Sequence, residues 1–264
     1  MRRTVVSFHA HPDDEALLTG GTLARASAQG HRVILVVATD GEAGLAASAL
    51  RPDLGARRSD ELDAAAAALG CARLVRLGFP DSGWRDSARD DPHVFSRLSV
   101  AEAAVPLAEL LREEHADVLT TYDAAGGYGH PDHRQVHRVG AEAARQARTP
   151  VVLQATLPRE RLHRAVRLGA RVPGLLDSVD PHDFLRAFTP RSAITHTIDV
   201  RDHLGEKRAA MAAHVSQTTS DVGPRTLDLL LRLPSPILRA VVGHEWFVDA
   251  SRPQARARDV FDGL

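Results

Sequence analysis

Cysteine is nearly missing from this chain: Cys71 is the only one in 264 residues. No intramolecular disulfide can form, and a reducing, cytoplasmic setting suits such a composition. An excess of charge is also missing. Lys and Arg total 33 against 34 Asp and Glu, a formal net charge of -1, so no broad basic field attracts nucleic acid or an anionic membrane. Long apolar runs are absent too. The apolar region near the C-terminus, Leu227 to Val242, is cut by Arg232, Pro234, Pro236 and Arg239, which argues against a membrane span. Met1-Arg2-Arg3 leads into an apolar run too short for a secretory signal. Nucleotide-binding and serine-hydrolase signatures are lacking: the first turn carries no G-x-G-x-x-G, and neither a P-loop nor a G-x-S-x-G elbow occurs.

What is present is an alternation of apolar runs and Ala-rich helical patterns. Strands are expected over Thr4–Phe8, Arg32–Thr39, Arg73–Gly78, Asp117–Tyr122 and Val151–Thr156. Helices are expected over Glu15–Gln29, Arg58–Leu69, Val100–Glu114 (capped by Ser99) and Pro131–Ala147. This order predicts an α/β fold, a Rossmann-like, doubly wound, mostly parallel sheet with helices on both faces. Beyond Leu157 the pattern weakens. Arg159–Leu168 reads as a helix, 169–191 as an irregular cap, Ile194–Val200 as a strand and Asp202–Val215 as helical. One domain is expected over 1–264, with a core to 157 and a C-terminal elaboration and cap over 158–264. The apolar stretches Leu175–Leu185 and Leu227–Val242 read as core packing or a subunit contact in a homo-oligomer, or else as a lid over a pocket.

In a doubly wound sheet, ligands bind outside the carboxyl ends of the strands. Four loops leave those ends, at His9–Asp14, Asp40–Leu45, Phe79–Ser87 and Asp123–His130, and they hold the unusual chemistry. His9-Ala10-His11-Pro12-Asp13-Asp14-Glu15 crowds imidazoles and carboxylates where a strand gives way to a helix. Gly129-His130-Pro131-Asp132-His133 repeats the theme after the fourth strand. Imidazole with carboxylate suits a divalent ion of the zinc kind. Pro12 promotes a turn that lets His11 and Asp14 face one point, and His133 supplies a third ligand. Three protein ligands leave room for water and substrate, the catalytic arrangement. Asp13, adjacent but not ligating, suits a general acid/base. His130 suits an oxyanion donor, and Asp132 an orienting group for a histidine. The blander readings are that Asp14 and Asp132 only cap helices and that His9 points back under the loop.

These residues carry a family resemblance. His11-Pro12-Asp13-Asp14-Glu15 together with Gly129-His130-Pro131-Asp132-His133 resembles the zinc-dependent N-deacetylases of the LmbE-like (PIG-L) family, which includes the N-acetylglucosaminyl-phosphatidylinositol de-N-acetylases. Gly126-Gly127-Tyr128-Gly129 and Gly83-Trp84-Arg85-Asp86-Ser87 are most similar to the mycothiol-pathway enzymes. The resemblance spans Thr4 to Thr156. It implies His11, Asp14 and His133 as ligands of zinc (ferrous iron being the alternative in the cell), Asp13 as acid/base, and His130 and Tyr128 as oxyanion partners. It also implies Arg58 and Asp86 as holders of sugar or inositol hydroxyls. Read without it, Arg58 is equally a surface arginine at a helix start, Tyr128 a loop residue among glycines, and Asp86 half of an aromatic–carboxylate pairing with Trp84. The implied reaction is hydrolysis of an N-acetyl group from an amino-sugar small molecule, or amide cleavage of a thiol conjugate. The segment from Glu42 to Arg58 is short for the family, 159–193 matches no motif, and His214 and Gln217 read as helix-face residues. A metallophosphoesterase or metallo-β-lactamase-like hydrolase is the competing reading, on the H-x-H-x-D pattern His9-Ala10-His11-Pro12-Asp13.

Overall fold

A computed structural model describes residues 1–44, 53–84, 90–169, 171, 187–218 and 226–264. Strands β1 (Thr4–His9), β2 (Arg32–Thr39), β3 (Arg73–Phe79), β4 (Val118–Tyr122) and β5 (Val151–Thr156) pair in parallel. β6 (His196–Asp199) and β7 (His244–Val248) extend the same sheet antiparallel, giving the order β3-β2-β1-β4-β5-β7-β6. The α/β, Rossmann-like expectation holds. The strand order reverses between β1 and β4, and that switch point is where such sheets open a crevice.

The unbroken apolar run of β2 is explained by burial on both faces. Val33, Leu35 and Val37 enter one core cluster, and Ile34, Val36 and Ala38 the other. Helices α2 (Gly20–Ala28), α3 (Leu54–Ala68) and α7 (Leu204–Ala213) cover the first face through Leu23, Leu62 and Met211. α4 (Val100–Glu113) and α5 (Pro131–Ala147) cover the second through Leu107, Leu111, Val136 and Val139. Helices α1 (Asp14–Leu18), α6 (Arg159–Gly169), α8 (Val215–Thr218), α9 (Thr226–Leu231) and α10 (Ser235–Val242) complete the described α-helices. No described helix is long and apolar enough to cross a membrane.

Three expectations need correction. The single helix over Glu15–Gln29 is two, α1 and α2, broken at Thr19 (φ -135°). The Thr19 hydroxyl is occupied by Ser7 Oγ, His9 Nε2 and the Glu15 carbonyl. The fresh helix start gives the N–H groups of Gly21 and Thr22 to the Glu245 carboxylate, each at 2.8 Å, so an anion satisfies donors that any helix N-terminus leaves open. Second, α3 begins at Leu54, so Arg58 lies one turn inside it, and it is buried rather than a surface arginine at a helix start. Third, Ser99 occupies the N-cap position of α4 without a side-chain capping bond. β7, with Glu245 among apolar neighbours, was not foreseen. The 175–185 stretch lies outside the described residues.

Candidate active site

β1 ends by placing its two histidines in opposite roles. His9 is buried beneath the crevice, with Nε2 on Ser7 Oγ at 2.8 Å and Nδ1 on the Tyr122 hydroxyl at 3.0 Å. Burial lowers its pKa to about 4, so it is a neutral prop for the loop. The H-x-H-x-D reading thereby loses its first ligand. His11, two residues on, faces the crevice.

Around His11 the two sequence motifs meet. Asp14 Oδ2 lies 3.4 Å from His11 Nδ1 and 3.4 Å from His133 Nε2. Ligand bonds of about 2.0–2.1 Å in a tetrahedral zinc site set ligand atoms roughly 3.3–3.4 Å apart, so these edges fit. His133 Nε2 is buried and has no hydrogen-bond partner among the described residues, a cost that a bound ion at this nitrogen would remove. Burial alone would push the Asp14 carboxyl up, but His133 and His11 hold it well below its ordinary range. Burial opposes a charge on His11, yet Asp132, Asp14 and Asp81 raise its pKa well above normal. A field that holds an imidazolium there also holds a divalent cation in its place. The ligand atoms that all lie within 4.8 Å of one another belong to His11, His130 and His133 in one group and to His11, Asp81 and Asp132 in another, with Asp14 in neither. Asp14 joins through its two 3.4 Å edges, and His130, Asp81 and Asp132 have other work. His130 Nδ1 accepts the Asp132 N–H at 3.2 Å. Asp132 accepts from the Ser82 hydroxyl through Oδ1, and from Ser82 N–H and His11 Nε2, each at 3.1 Å, through Oδ2. Asp132 is thus no helix cap. In the neutral His11 ring it favours the tautomer with the proton on Nε2, leaving Nδ1, 3.4 Å from Asp14 Oδ2, able to ligate. Asp14 instead accepts the His11 N–H at 3.0 Å.

Asp13 has φ 109°, a left-handed conformation that costs a non-glycine residue of order 1–3 kcal/mol and clusters at functional sites. Arg58 braces it: Nη2 donates to the Pro12 carbonyl and to Asp13 Oδ1 (3.2 Å), and Nη1 donates to the Gly41 carbonyl at 2.9 Å. Gly41 is required here, since its φ is +67° and a Cβ would meet the guanidinium at 2.4 Å. Burial raises the Asp13 pKa against the opposing pull of Arg58, which brings the carboxylate toward the range of an effective base.

The four expected loops and the C-terminal part enclose a cavity of about 260 Å³. The strand-end loops line it with His11, Asp13 and Asp14, with Ala43 and Gly44, with Asp81, Gly83 and Trp84, and with Tyr128 and His130, and Leu17, Arg58, Gln217, Thr226 and Leu227 complete the lining. Burial, with the neighbouring His11 and His133, lowers the His130 pKa to about 2. With Nδ1 accepting from Asp132, the neutral ring carries its proton on Nε2, a donor assigned from the bonding pattern. Trp84 stacks on His130 at 5.2 Å between centroids, and Tyr128, 41% exposed, meets Trp84 edge-on at 5.9 Å. Asp81 and Ser82 escaped the sequence reading, although their place at the end of β3 marked them. Gln217 and His214 are not plain helix-face residues: Gln217 lines the cavity and His214 is fully buried. Leu227 both packs in the core and lines the cavity. Asp86 lies outside the described residues.

Residues 6–144 match the family model for PIG-L, GlcNAc-PI de-N-acetylase. The chain belongs to the PIG-L family. It is 38% identical over 289 residues to the 1D-myo-inositol 2-acetamido-2-deoxy-α-D-glucopyranoside deacetylase of Acidothermus cellulolyticus, with 100% of this chain and 96% of that one covered. The enzyme of the same name from Thermomonospora curvata is 36% identical over 287 residues, covering 99% of this chain and 94% of the relative. Among solved structures, N,N'-diacetylchitobiose deacetylase from Pyrococcus horikoshii shares the fold, with TM-score 0.61 at 21% identity, over 93% of this chain and 82% of that one. Members of the PIG-L family are metal-dependent deacetylases.

Proposed function

We propose that this chain is a cytoplasmic, zinc-dependent N-deacetylase that removes the acetyl group from an N-acetylglucosaminyl-inositol, the compound in its relatives' names. The observation that carries this reading is the orphaned His133 Nε2 beside Asp14, which also meets His11, next to a strained Asp13 that Arg58 braces. His11, Asp14 and His133 would hold a divalent ion, which when bound would supply the positive charge that polarises the amide carbonyl and acidifies water. Asp13 takes the proton of the attacking water and returns it to the departing amine nitrogen. His130 donates its Nε2–H to the oxygen that becomes anionic, a neutral donor already in place before charge develops. Tyr128 reaches the same oxygen from its glycine-flanked loop. Gly126 (φ +67°) leaves no room for a Cβ, which would sit 2.7 Å from the Arg134 nitrogen. Arg58 and Asp86 hold sugar or inositol hydroxyls, Arg58 while bracing Asp13.

The test is mass spectrometry of the zinc-loaded protein with 1D-myo-inositol 2-acetamido-2-deoxy-α-D-glucopyranoside, free N-acetylglucosamine and an acetylated thiol conjugate of the same sugar. Loss of one acetyl group from the inositol glycoside, abolished by chelation and restored by zinc or ferrous iron, is expected. Cleavage of the thiol conjugate alone would identify an amidase instead. No acetyl loss from any of the three would remove the proposal.

A further inference from the structure

The C-terminal half contributes a buried polar connection that the reaction scheme leaves unused. Glu15 and His214 are both fully buried, and His214 Nε2 meets Glu15 Oε1 at 2.6 Å across 199 positions of sequence. Burial disfavours either charge, yet each group holds the other ionised, Glu15 shifted down and His214 shifted up. Glu15's second oxygen accepts the backbone N–H of Asp13 at 3.0 Å, the residue whose backbone is left-handed. Two residues past His214, Ser216 gives its N–H and its hydroxyl to the two oxygens of Glu61, each at 2.7 Å. Glu61 stands one turn after Arg58 on α3, and Arg58 returns to Asp13. The connection closes on itself: Asp13, Glu15, His214, Ser216, Glu61, α3, Arg58, Asp13. Gln217, next in line, bonds Ser216 Oγ at 3.1 Å and faces the cavity.

We propose that the 214–217 turn is the positioning element for Asp13, gripping its backbone through Glu15 and its carboxylate through α3 and Arg58. This rests on the reading of Asp13 as the general base. His214 and Ser216 are positioning residues in this scheme, since neither touches the reacting atoms. The strained Asp13 backbone relaxes when either grip is lost, and a displacement of about 1 Å at a reacting group costs on the order of 100-fold in rate.

The experiment is a double-mutant cycle on the zinc-loaded full chain, with acetyl release from the inositol glycoside as readout under excess enzyme. His214→Gln is expected to lower kcat about 10- to 100-fold with KM within roughly twofold, and to leave bound zinc at the wild-type ratio. Ser216→Ala, a smaller lesion that keeps the backbone bond to Glu61, is expected to lower kcat about 3- to 10-fold in the same pattern. In an Asp13→Asn background both second substitutions should cost under about threefold, because the group they position is gone. Equal losses in the two backgrounds, or loss of zinc from the single variants, would overturn the proposal. Should His214→Gln fail to fold, the Ser216→Ala arm decides alone. Wild-type turnover by Asp13→Asn would instead overturn the assignment of the base, a result distinct from failure of the turn.

Discussion

If His11, Asp14 and His133 hold the ion as proposed, removing the Asp132 carboxylate should loosen the metal without touching a ligand. Asp132 is completely buried and accepts from His11 Nε2 at 3.1 Å, so that nitrogen carries the proton and Nδ1 is left free to ligate. In Asp132→Ala, His11 loses the partner that selects this tautomer, and its Nε2 is left in a dry site where an unpaired group costs about 1–3 kcal/mol. Asp81 Oδ1 is 3.6 Å from the same nitrogen, beyond a hydrogen bond but near enough to limit the damage. Loss of such an outer partner weakens metal affinity typically 10- to 100-fold, which corresponds to about 1.4–2.7 kcal/mol. Asp132→Asn separates tautomer from charge. Its amide oxygen can sit at the Oδ2 position and its NH₂ can face Ser82 Oγ, so His11 keeps its tautomer and only the negative charge is lost. That variant should stay within about tenfold of wild type. Zinc affinity measured by competition with a chromophoric chelator, together with thermal melts to confirm folding, gives the comparison. Wild-type affinity in Asp132→Ala, or an Asn variant weaker than Ala, would refute the orienting role.

Three further outcomes concern the rest of the molecule. Glu245→Ala strands the buried Lys207 ammonium, which now bonds Glu245 at 2.5 Å and the Leu17 carbonyl at 2.8 Å, and should cost about 3–5 kcal/mol of unfolding free energy; denaturant titration reads it, and a cost near zero would dismiss the clamp. Hydrogen bonds from Arg32 and then Arg73 lower the Glu114 pKa from 4.5 to about 2. The ionised carboxylate therefore stabilises the fold above pH 4.5, and this stability is lost as pH falls toward 2. Glu114→Gln should be about 1–2 kcal/mol less stable near neutral pH, after allowance for the partly exposed arginines, with the gap closing in acid. A gap that widens in acid would reverse the sign. Burial pushes the Cys71 thiol up to about 12. Alkylation by iodoacetamide should therefore be slow in the native protein and fast in denaturant, and equal rates would contradict its packing.

Much of this architecture was legible because local pattern and burial coincide. Pro131–Ala147 and Val151–Thr156 emerged at the expected bounds, since a proline at the first helical turn and a β-branched run are self-announcing. The meeting of His11, Asp14 and His133 was legible because both motifs stand at carboxyl ends of strands flanking the switch point. The break at Thr19 was not, because it depends on hydroxyl contacts with Ser7 and His9 that no periodicity encodes. The role of Asp132 was visible in kind but not in partner, as His11 lies 121 positions away. Glu245 and His214 were hidden for the same reason. A charged residue in an apolar strand, or at a helix end, declares its purpose only when a partner from the far end of the chain arrives. Arg58 was misplaced on its helix because Leu54 to Arg57 carries too little apolar signal to mark the true start.

The scarcity of indole in this chain turns the Trp84–His130 stack into an optical gauge. There are two tryptophans, and Trp246 sits away from the cavity lining, beneath the Arg161 guanidinium at 4.9 Å. With Trp246 replaced by Phe, all remaining indole emission arises at the mouth of the crevice. That ring stacks on His130, so whatever enters and parts the two rings should change the emission, and arrival of a ligand can be timed without attaching any dye.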